Sequence, residues 1–270
     1  MPFIGNSLPL ELQGAAITPD PKRRHLSREE FLERLLASSS LPIGHGYSRA
    51  NIEEGLRLYT ADPIPGVPLR LVALDTASPI GYALGSIRQA QFERLQESLE
   101  EAKRMGLLVI LASHHPSGSI TDLPPLEGMR SKNGSDLTDL LNQYPNVLAH
   151  IAGHTHNNVI SPKGSYYEVQ TSAGIDPPQQ TRIFEVLWDG GEYLGLVTVM
   201  VDFESNHGLA DEGRFLAFND SLSGGSPGTP RDRNTLLALR IHPEIQERLR
   251  GATTKPTRLL TTRLLRGGLA

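Results

Sequence analysis

The chain has 270 residues, a length that suits one large domain or two small ones. Hydrophobic residues make up 38% and charged residues 21%, which is compatible with a water-soluble globular core, and the net charge of -4 argues against a general affinity for nucleic acid. There is no cysteine, so disulfides, thiolate zinc sites and cysteine nucleophiles are excluded, and any metal ion must be bound by histidine, aspartate, glutamate or asparagine.

Nothing in the sequence indicates a membrane or an export route. No apolar stretch approaches the roughly 20 residues that a membrane-spanning helix requires. The N-terminal stretch MPFIGNSLPLELQG has neither a basic start nor a long apolar segment, which is atypical of a secretory signal. We therefore expect a cytoplasmic protein with no membrane partner.

Residues 1–68 are predicted to form an irregular N-terminal segment with one helix. The stretch SREEFLERLLAS favours that helix, because Ser27 can cap its start and Glu30 can reach back to complete a capping box. The stretch GHGYSRANIEEG, from Gly44 to Gly55, is typical of a long loop.

Strands and helices alternate between residues 69 and 152. Three short apolar runs, LRLVALDT, LLVILA and NVLAHIA, are typical of buried strands. Between them lie two helical patterns, one starting near Ser86 and Gln89 and ending at Gly106, the other SDLTDLLNQY. Such alternation predicts a parallel sheet covered by helices, and the long connection 113–134 leaves the strand edge where such sheets bind ligands.

The pattern becomes all-β after residue 160. SYYEVQT, RIFEVLW and YLGLVTVMV are predicted strands, and the turn Asp189–Gly191 indicates a hairpin. Residues 202–230 are predicted to be loop, followed by one short helix in HPEIQERLRG. We therefore expect a core domain over 69–202 and a basic, partly flexible C-terminal extension over 203–270.

Two histidine pairs follow neighbouring predicted strands. His154 and His156 come directly after NVLAHIA, where residues i and i+2 of an extended segment project to the same side and Gly153 allows a sharp turn. His114 comes directly after LLVILA, so it can approach the other two along the shared edge of the sheet. Three imidazoles converging there predict a divalent-metal site, although polar loops that merely contain histidines remain an alternative.

These motifs resemble a known family. VILASHHP, NVLAHIAGHTHN, QTS and PPQQTRIFEV together are similar to the C-terminal half of the calcineurin-like metallophosphoesterases. The resemblance implies an α/β fold, a partial αββα sandwich, around a centre of two divalent metal ions, which could be Mn, Fe, Zn or Ni. It implies that His114 and His154 bind the second metal ion and that His156 binds the first.

The resemblance also suggests roles for other histidines. His115 is expected to pack or hydrogen-bond near the metal ions rather than bind them, and His150 is expected to be a satisfied buried residue. His45 in GHGY could contact substrate, although a purely structural role in the loop is the simpler interpretation.

The N-terminal motifs of that family are absent from this sequence. There is no D-x-H and no G-N-H in residues 1–113. Asn6, in the only Gly-Asn pair of that segment, could take the place of the asparagine ligand, but a turn is the simpler interpretation. Asp75 ends a strand without a nearby histidine partner and is interpreted as structural. Without a bridging aspartate two dications repel each other, so we expect an N-terminally truncated enzyme that is weak or inactive alone.

Two functions remain open at this point. The first is metal-dependent hydrolysis of phosphomonoesters or phosphodiesters, in which a metal-bound hydroxide attacks phosphorus. The second is a non-catalytic remnant or interaction module that retains at most one metal ion. The expected partners are a phosphate-ester substrate and either a missing N-terminal half or a second copy of the chain, with no nucleic acid. An unrelated metallohydrolase is disfavoured, because HTHNNV lacks the H-x-H-x-D-H pattern of metallo-β-lactamase folds.

Overall fold

The computed structural model describes residues 18, 20–24, 26–39, 41, 43–53, 58–78, 83–122, 130–202, 208–219 and 225–252. Contacts divide the chain into two compact units, Met1–Tyr47 and Ser48–Ala270. The division into three regions at residues 68 and 202 stays a prediction.

The first unit contains the predicted helix. Helix α1, Arg28–Leu36, begins with the expected capping box: Glu30 N donates to Ser27 Oγ at 3.1 Å, and Ser27 N donates to Glu30 Oε2 at 2.8 Å. A single 3-10 turn, Ile43–Gly46, follows, with His45 in the left-handed region at φ 51°.

The predicted loop Gly44–Gly55 is wrong in its second part, which belongs to the second unit. A short helix α2, Arg49–Glu53, interrupts it. Its start is stabilised by a hydrogen bond between Ser48, which precedes it, and Asn51 within it: Ser48 N donates to Asn51 Oδ1 at 2.8 Å.

A six-stranded sheet forms the centre of the second unit, in the order β1-β2-β4-β6-β8-β7. Neighbours among β2, β4, β6 and β8 run parallel, and the edge strands β1 and β7 run antiparallel to them. The strands are β1 Leu58–Ala61, β2 Leu69–Leu74, β4 Leu108–Ser113, β6 Val147–Ala152, β7 Val159–Pro162 and β8 Tyr167–Gln170. The predicted parallel sheet is confirmed, whereas β1 lies in a segment that was predicted to be irregular.

Helices α3, Gln89–Met105, and α4, Gly134–Asn142, pack against this sheet. The left-handed Gly106 ends α3 as predicted, at φ 66°. The predicted cap by Ser86 and Gln89 is wrong: α3 starts later, and Gln91 Oε1 accepts from Arg88 N at 3.2 Å. The start is delayed because Ile87–Arg88 forms a short strand, β3, paired with β5, Ser131–Lys132.

A three-stranded antiparallel sheet packs with the opposite face of the central sheet. Its order is β11-β10-β9, with β9 Gln180–Trp188, β10 Tyr193–Asp202 and β11 Thr235–Arg240. The Asp189–Gly191 hairpin is confirmed, since β9 and β10 pair on either side of it. Two elements were missed: strand β11, and helix α5, Gly208–Asn219, which lies in the predicted loop 202–230. The short C-terminal helix is confirmed as α6, Pro243–Ala252.

Alternate residues of the central strands serve two separate cores. In β4, Val109 and Leu111 belong to the core beneath α3 and α4, whereas Leu108 and Ile110 belong to the core shared with the second sheet. Burial on both faces explains why this strand is a continuous apolar run in the sequence. The α/β class is therefore confirmed, with helices, a mixed sheet and an antiparallel sheet in successive layers. In the described parts of the chain, no helix combines the length and apolar character needed to cross a membrane.

The backbone of Ser117 lies very close to Gly134. A Cβ atom there would lie 1.7 Å from the Ser117 carbonyl oxygen, whereas one at Gly118 would meet nothing within 4 Å. Gly134→Ala should therefore lower the free energy of unfolding by about 1–3 kcal/mol. Gly118→Ala is the matched control and should change it by less than about 0.5 kcal/mol. Urea unfolding of both variants tests this, and equal stabilities would contradict the close approach.

Candidate metal centre

Three histidines meet at the carboxyl edge of the central sheet. His114 and His115 follow β4, and His154 follows the parallel neighbour β6, which pairs with β4 through Ala112 and Ile151. Gly153 N donates to the His114 carbonyl at 3.0 Å, which ties the two connections together just beyond the strands. The sequence-based expectation that adjacent strands bring residues 114 and 154 together agrees with this placement.

The rings are close enough to share one ion. Ring centroids are 5.2 Å apart for His114 and His154, 4.4 Å for His115 and His154, and 4.7 Å for His114 and His115. Each residue offers one ring nitrogen, and these three atoms lie within 4.8 Å of one another. We refer to these three residues as the imidazole cluster.

His156 lies beside the imidazole cluster rather than in it. Its Nδ1 forms an ion pair with a carboxylate oxygen of Asp176, which lies in the connection between β8 and β9. It is near enough to lower the pKa of both His114 and His154. The assignment of His114, His154 and His156 as metal ligands stays a prediction, and the structure brings His115 together with the first two.

The backbone at GHTH differs from the expected extended segment. His154 and His156 are both in the left-handed region, at φ 66° and 56°, so the i, i+2 projection of a strand does not apply here. Gly153 does not supply the sharp turn, because its φ is not positive and a Cβ there would meet only the His114 carbonyl at 3.8 Å. Left-handed residues other than glycine cost free energy and persist where the surroundings impose them, often at functional sites.

The cluster keeps its imidazoles neutral. Burial lowers the pKa of His115 to about 4, helped by His154 and His114 and opposed by the Ala83 carbonyl and Asp75. Burial is also the main cause that lowers the pKa of His114 and His154, with neighbouring histidines adding to it. Neutral imidazoles present the lone pairs that a metal ion requires.

His115 supplies the observation that best fits a bound cation. It is only 3% exposed, and no hydrogen bond of good geometry reaches its buried Nε2 among the described residues, although the Ala83 carbonyl lies near enough to raise the pKa of the ring. Its Nδ1 lies 2.8 Å from Thr76 Oγ1. A proton on Nδ1 and donated to Thr76 leaves the Nε2 lone pair for a metal ion, an arrangement common among metal-binding histidines. The residues therefore fit one divalent transition metal ion, because imidazole favours zinc, nickel, copper or iron over magnesium or calcium.

The remaining predicted accessory residues are Asn6 and His45. Asn6 lies outside the described residues. His45 lies in the first compact unit, in the 3-10 turn described above. Their expected contacts with substrate or metal stay predictions.

Comparisons with known proteins give little further information. No protein-family model matches the chain, and no curated protein matches it. Among solved structures, a dimetal phosphatase from Danio rerio is 15% identical with a TM-score of 0.43, over 65% of this chain and 70% of that one. A protein assigned as a 5'-nucleotidase from Staphylococcus aureus is 14% identical with a TM-score of 0.30, over 72% of this chain and 33% of that one. Likeness at this level carries no argument about activity, so the functional interpretation depends on the geometry of the cluster.

Sequence reasoning missed the residues that support the cluster. Thr76, Glu168 and Asp176 each contact one histidine of this region from a distant part of the chain. Thr76 directly follows Asp75, so its placement at the edge of the sheet was available from the strand pattern. Glu168 and Asp176 carried no such signal, because no spacing rule links them to a histidine.

Proposed function

We propose that this chain binds a divalent transition metal ion at His114, His115 and His154 and hydrolyses phosphate esters there. The observation that supports the proposal best is the convergence of three neutral imidazoles at the carboxyl edge of a parallel sheet, where α/β proteins bind ligands. The resemblance of SHHP and GHTH to metallophosphoesterase motifs supports the reaction class. A divalent cation in this place supplies positive charge that stabilises the negative charge developing on a phosphoryl group.

Three histidines have different roles in the proposed site. His115 is buried and fixed by Thr76, so it holds its position, whereas His114 is exposed and leaves one side of the cluster open to a substrate. His156 is partly exposed beside the cluster and paired with Asp176, which suits it to hold or donate a proton near the leaving-group oxygen. A phosphate monoester or diester is small and anionic enough for this open edge.

The composition of the cluster favours a second candidate, a non-catalytic module that binds one metal ion. All three members are histidines, and no carboxylate joins them within the described residues. Phosphoryl transfer by paired metal ions depends on ligands that hold two cations close together. We therefore expect weak turnover and fewer than two metal ions per chain.

The proposal is tested by metal content and hydrolysis together. The purified chain is loaded with Mn²⁺, Fe²⁺, Zn²⁺ or Ni²⁺, its metal content is measured by mass spectrometry, and release of p-nitrophenol from bis(p-nitrophenyl) phosphate and p-nitrophenyl phosphate is followed. One metal ion with slow, metal-dependent release supports the enzyme. One metal ion without release supports the binding module. No metal ion at all overturns both.

A pair of substitutions separates the two possible ligand sets. If the imidazole cluster is the site, His115→Ala should lower the affinity for Zn²⁺ by more than about a hundred-fold, and His156→Ala should lower it by no more than about tenfold. Zinc titration against a competing chelator measures both. The reverse order would favour the ligand set implied by the family resemblance, His114, His154 and His156.

A further inference from the structure

A chain of buried polar groups lies beneath the imidazole cluster. Glu168 on β8, His150 on β6 and Ser113 at the end of β4 occupy three adjacent parallel strands. Ser113 Oγ lies 2.7 Å from His150 Nε2, and His150 Nδ1 lies 3.1 Å from Glu168 Oε2. His150 is 0% exposed and Glu168 is 2% exposed, so water does not compete for these contacts.

The hydrogen-bond partners of Ser113 determine where its hydroxyl proton points. Ser113 Oγ lies 2.8 Å from the carbonyl oxygen of His115, which can only accept, so the single hydroxyl proton of Ser113 points there. Ser113 must then accept a hydrogen bond from His150 Nε2.

The other side of the His150 ring faces a carboxylate. Burial alone would raise the pKa of Glu168, but hydrogen bonds from His150 and from the backbone and side chain of Ser117 outweigh it and hold that pKa at about 2. An ionised carboxylate only accepts, and Lys163 Nζ lies 3.5 Å from its other oxygen, Oε1. His150 thus bridges Ser113 and Glu168 inside the protein. Its donation to Ser113 distinguishes the group from a nucleophile triad, in which the histidine accepts the proton of the serine.

Both ends of the segment that carries His114 and His115 are tied to this pair. Ser113 connects His150 to the His115 carbonyl, and Ser117 N donates to Glu168 Oε2 at 2.8 Å. The five residues 113–117 are therefore anchored at both ends on two neighbouring strands. Buried polar or ionic pairs contribute little net stability compared with well-packed apolar residues, so we expect this pair to act by fixing one geometry.

We propose that the buried hydrogen-bonded pair of Glu168 and His150 is a positioning device that holds His114 and His115 in metal-binding geometry, an inference that rests on the proposed function. Neither residue touches the metal ion or the substrate. Both act through Ser113 and Ser117, the residues at the two ends of the segment.

Three variants test this proposal. Glu168→Gln removes the charge at nearly constant shape, and Ser113→Ala breaks only the link to the His115 carbonyl, which keeps the test informative if Glu168→Gln does not fold. Leu99→Ala is the matched control, because Leu99 is fully buried on α3 in an apolar core that contains none of residues 113–117, and its loss should destabilise the protein.

Two measurements require no metal ion. In the wild type, the nitrogen chemical shifts of the His150 ring should show a proton on Nε2, the nitrogen that donates to Ser113. Hydrogen exchange of the Ser117 and Gly153 amides should accelerate by at least about tenfold relative to β10 amides in Glu168→Gln, and that of Gly153 likewise in Ser113→Ala, but not in Leu99→Ala. Gly153 is informative because its amide donates to the His114 carbonyl.

The third measurement is Co²⁺ binding, followed by the visible absorption of the ion. Affinity should fall by about 10–100-fold in Glu168→Gln and Ser113→Ala, with a changed spectrum at saturation, and should be unchanged in Leu99→Ala. Unchanged exchange and affinity in both test variants, an Nε2 of His150 without a proton, or covalent labelling of Ser113 by a fluorophosphonate would overturn the positioning role. If the wild type binds no Co²⁺, the proposed function fails, while exchange and ring shifts still decide whether the pair holds the segment.

Discussion

Replacing His154 with alanine is expected to lower the affinity of the chain for Zn²⁺ or Ni²⁺ by about a hundred-fold or more. The expectation follows from the position of His154 in the imidazole cluster: its ring is 4.4 Å from His115 and 5.2 Å from His114, and two imidazoles alone hold a divalent ion weakly. Loss of a group that only orients a ligand typically costs 10–100-fold, so loss of a ligand should exceed that range. Competition with a chromogenic chelator measures the change.

The matched control is another histidine of the same compact unit. His242 lies before α6, and its side chain is about half exposed and near the carboxylate of Glu244. His242→Ala should leave metal affinity unchanged within experimental error. Equal affinity in His154→Ala and the wild type would rule out His154 as a ligand.

His154 is both a proposed metal ligand and a residue with a strained backbone. His154 has a φ of 66°, a conformation that costs an L-amino acid about 1–2 kcal/mol and that glycine adopts freely. His154→Gly should therefore bind metal as poorly as His154→Ala but be more stable than it, by about 1 kcal/mol. Thermal unfolding without metal compares the two, and equal stability would contradict the strained conformation. A costly backbone at a metal-binding histidine is expected where function, rather than stability, selects the residue.

The sequence predicts the central sheet well because its strands are buried on both faces. Burial on both sides produces continuous apolar runs such as LVILAS in β4 and VLAHIA in β6, and parallel pairing then brings residues 114 and 154 to one edge. Such apolar runs can be recognised from the local sequence alone, without knowing which distant parts of the chain they contact.

The missed elements lack such a local signal. Strand β1 has only four residues, LYTA, at the edge of the sheet. In β11, Leu237 and Leu239 are buried but Leu236 is exposed. An apolar residue on the exposed face breaks the apolar–polar alternation by which a half-buried strand is recognised in a sequence. In α5, Phe215, Leu216 and Phe218 are exposed, so no apolar stripe of helical period marks it.

The supporting residues of the candidate site depend on tertiary contacts alone. Glu168 lies 18 residues after His150, and its role follows only from the pairing of β6 with β8. His154 and His156 were expected on one side of an extended segment, whereas the backbone is left-handed at both positions. Strain of this kind is imposed by the surroundings and leaves no pattern in the sequence.

Arg182 on β9 is another residue whose importance only the structure reveals. The residue is 9% exposed. Its guanidinium donates to the side chains of Thr171, Thr198 and Asn158 and to the carbonyls of Asp232 and Arg233, at 2.6–3.4 Å. Burial lowers its pKa to about 10, so it stays charged at neutral pH. One side chain thus joins the second sheet to the connection between β8 and β9 and to the turn before β11.

Arg182→Met should lower the free energy of unfolding by about 3 kcal/mol or more, because several buried acceptors lose their donor at about 1–3 kcal/mol each. Arg182→Lys should recover only part of this, since an ammonium group cannot reach acceptors spread around a planar guanidinium.

The matched control is Arg70→Met. Arg70 is equally buried at 8%, but its partners Asp62 and Glu101 are 48% and 47% exposed and can bind water once it is gone. Its loss should cost about 1 kcal/mol or less. Urea unfolding of the three variants provides the comparison, and equal losses for Arg182→Met and Arg70→Met would show that the buried carbonyl partners of Arg182 do not set its contribution.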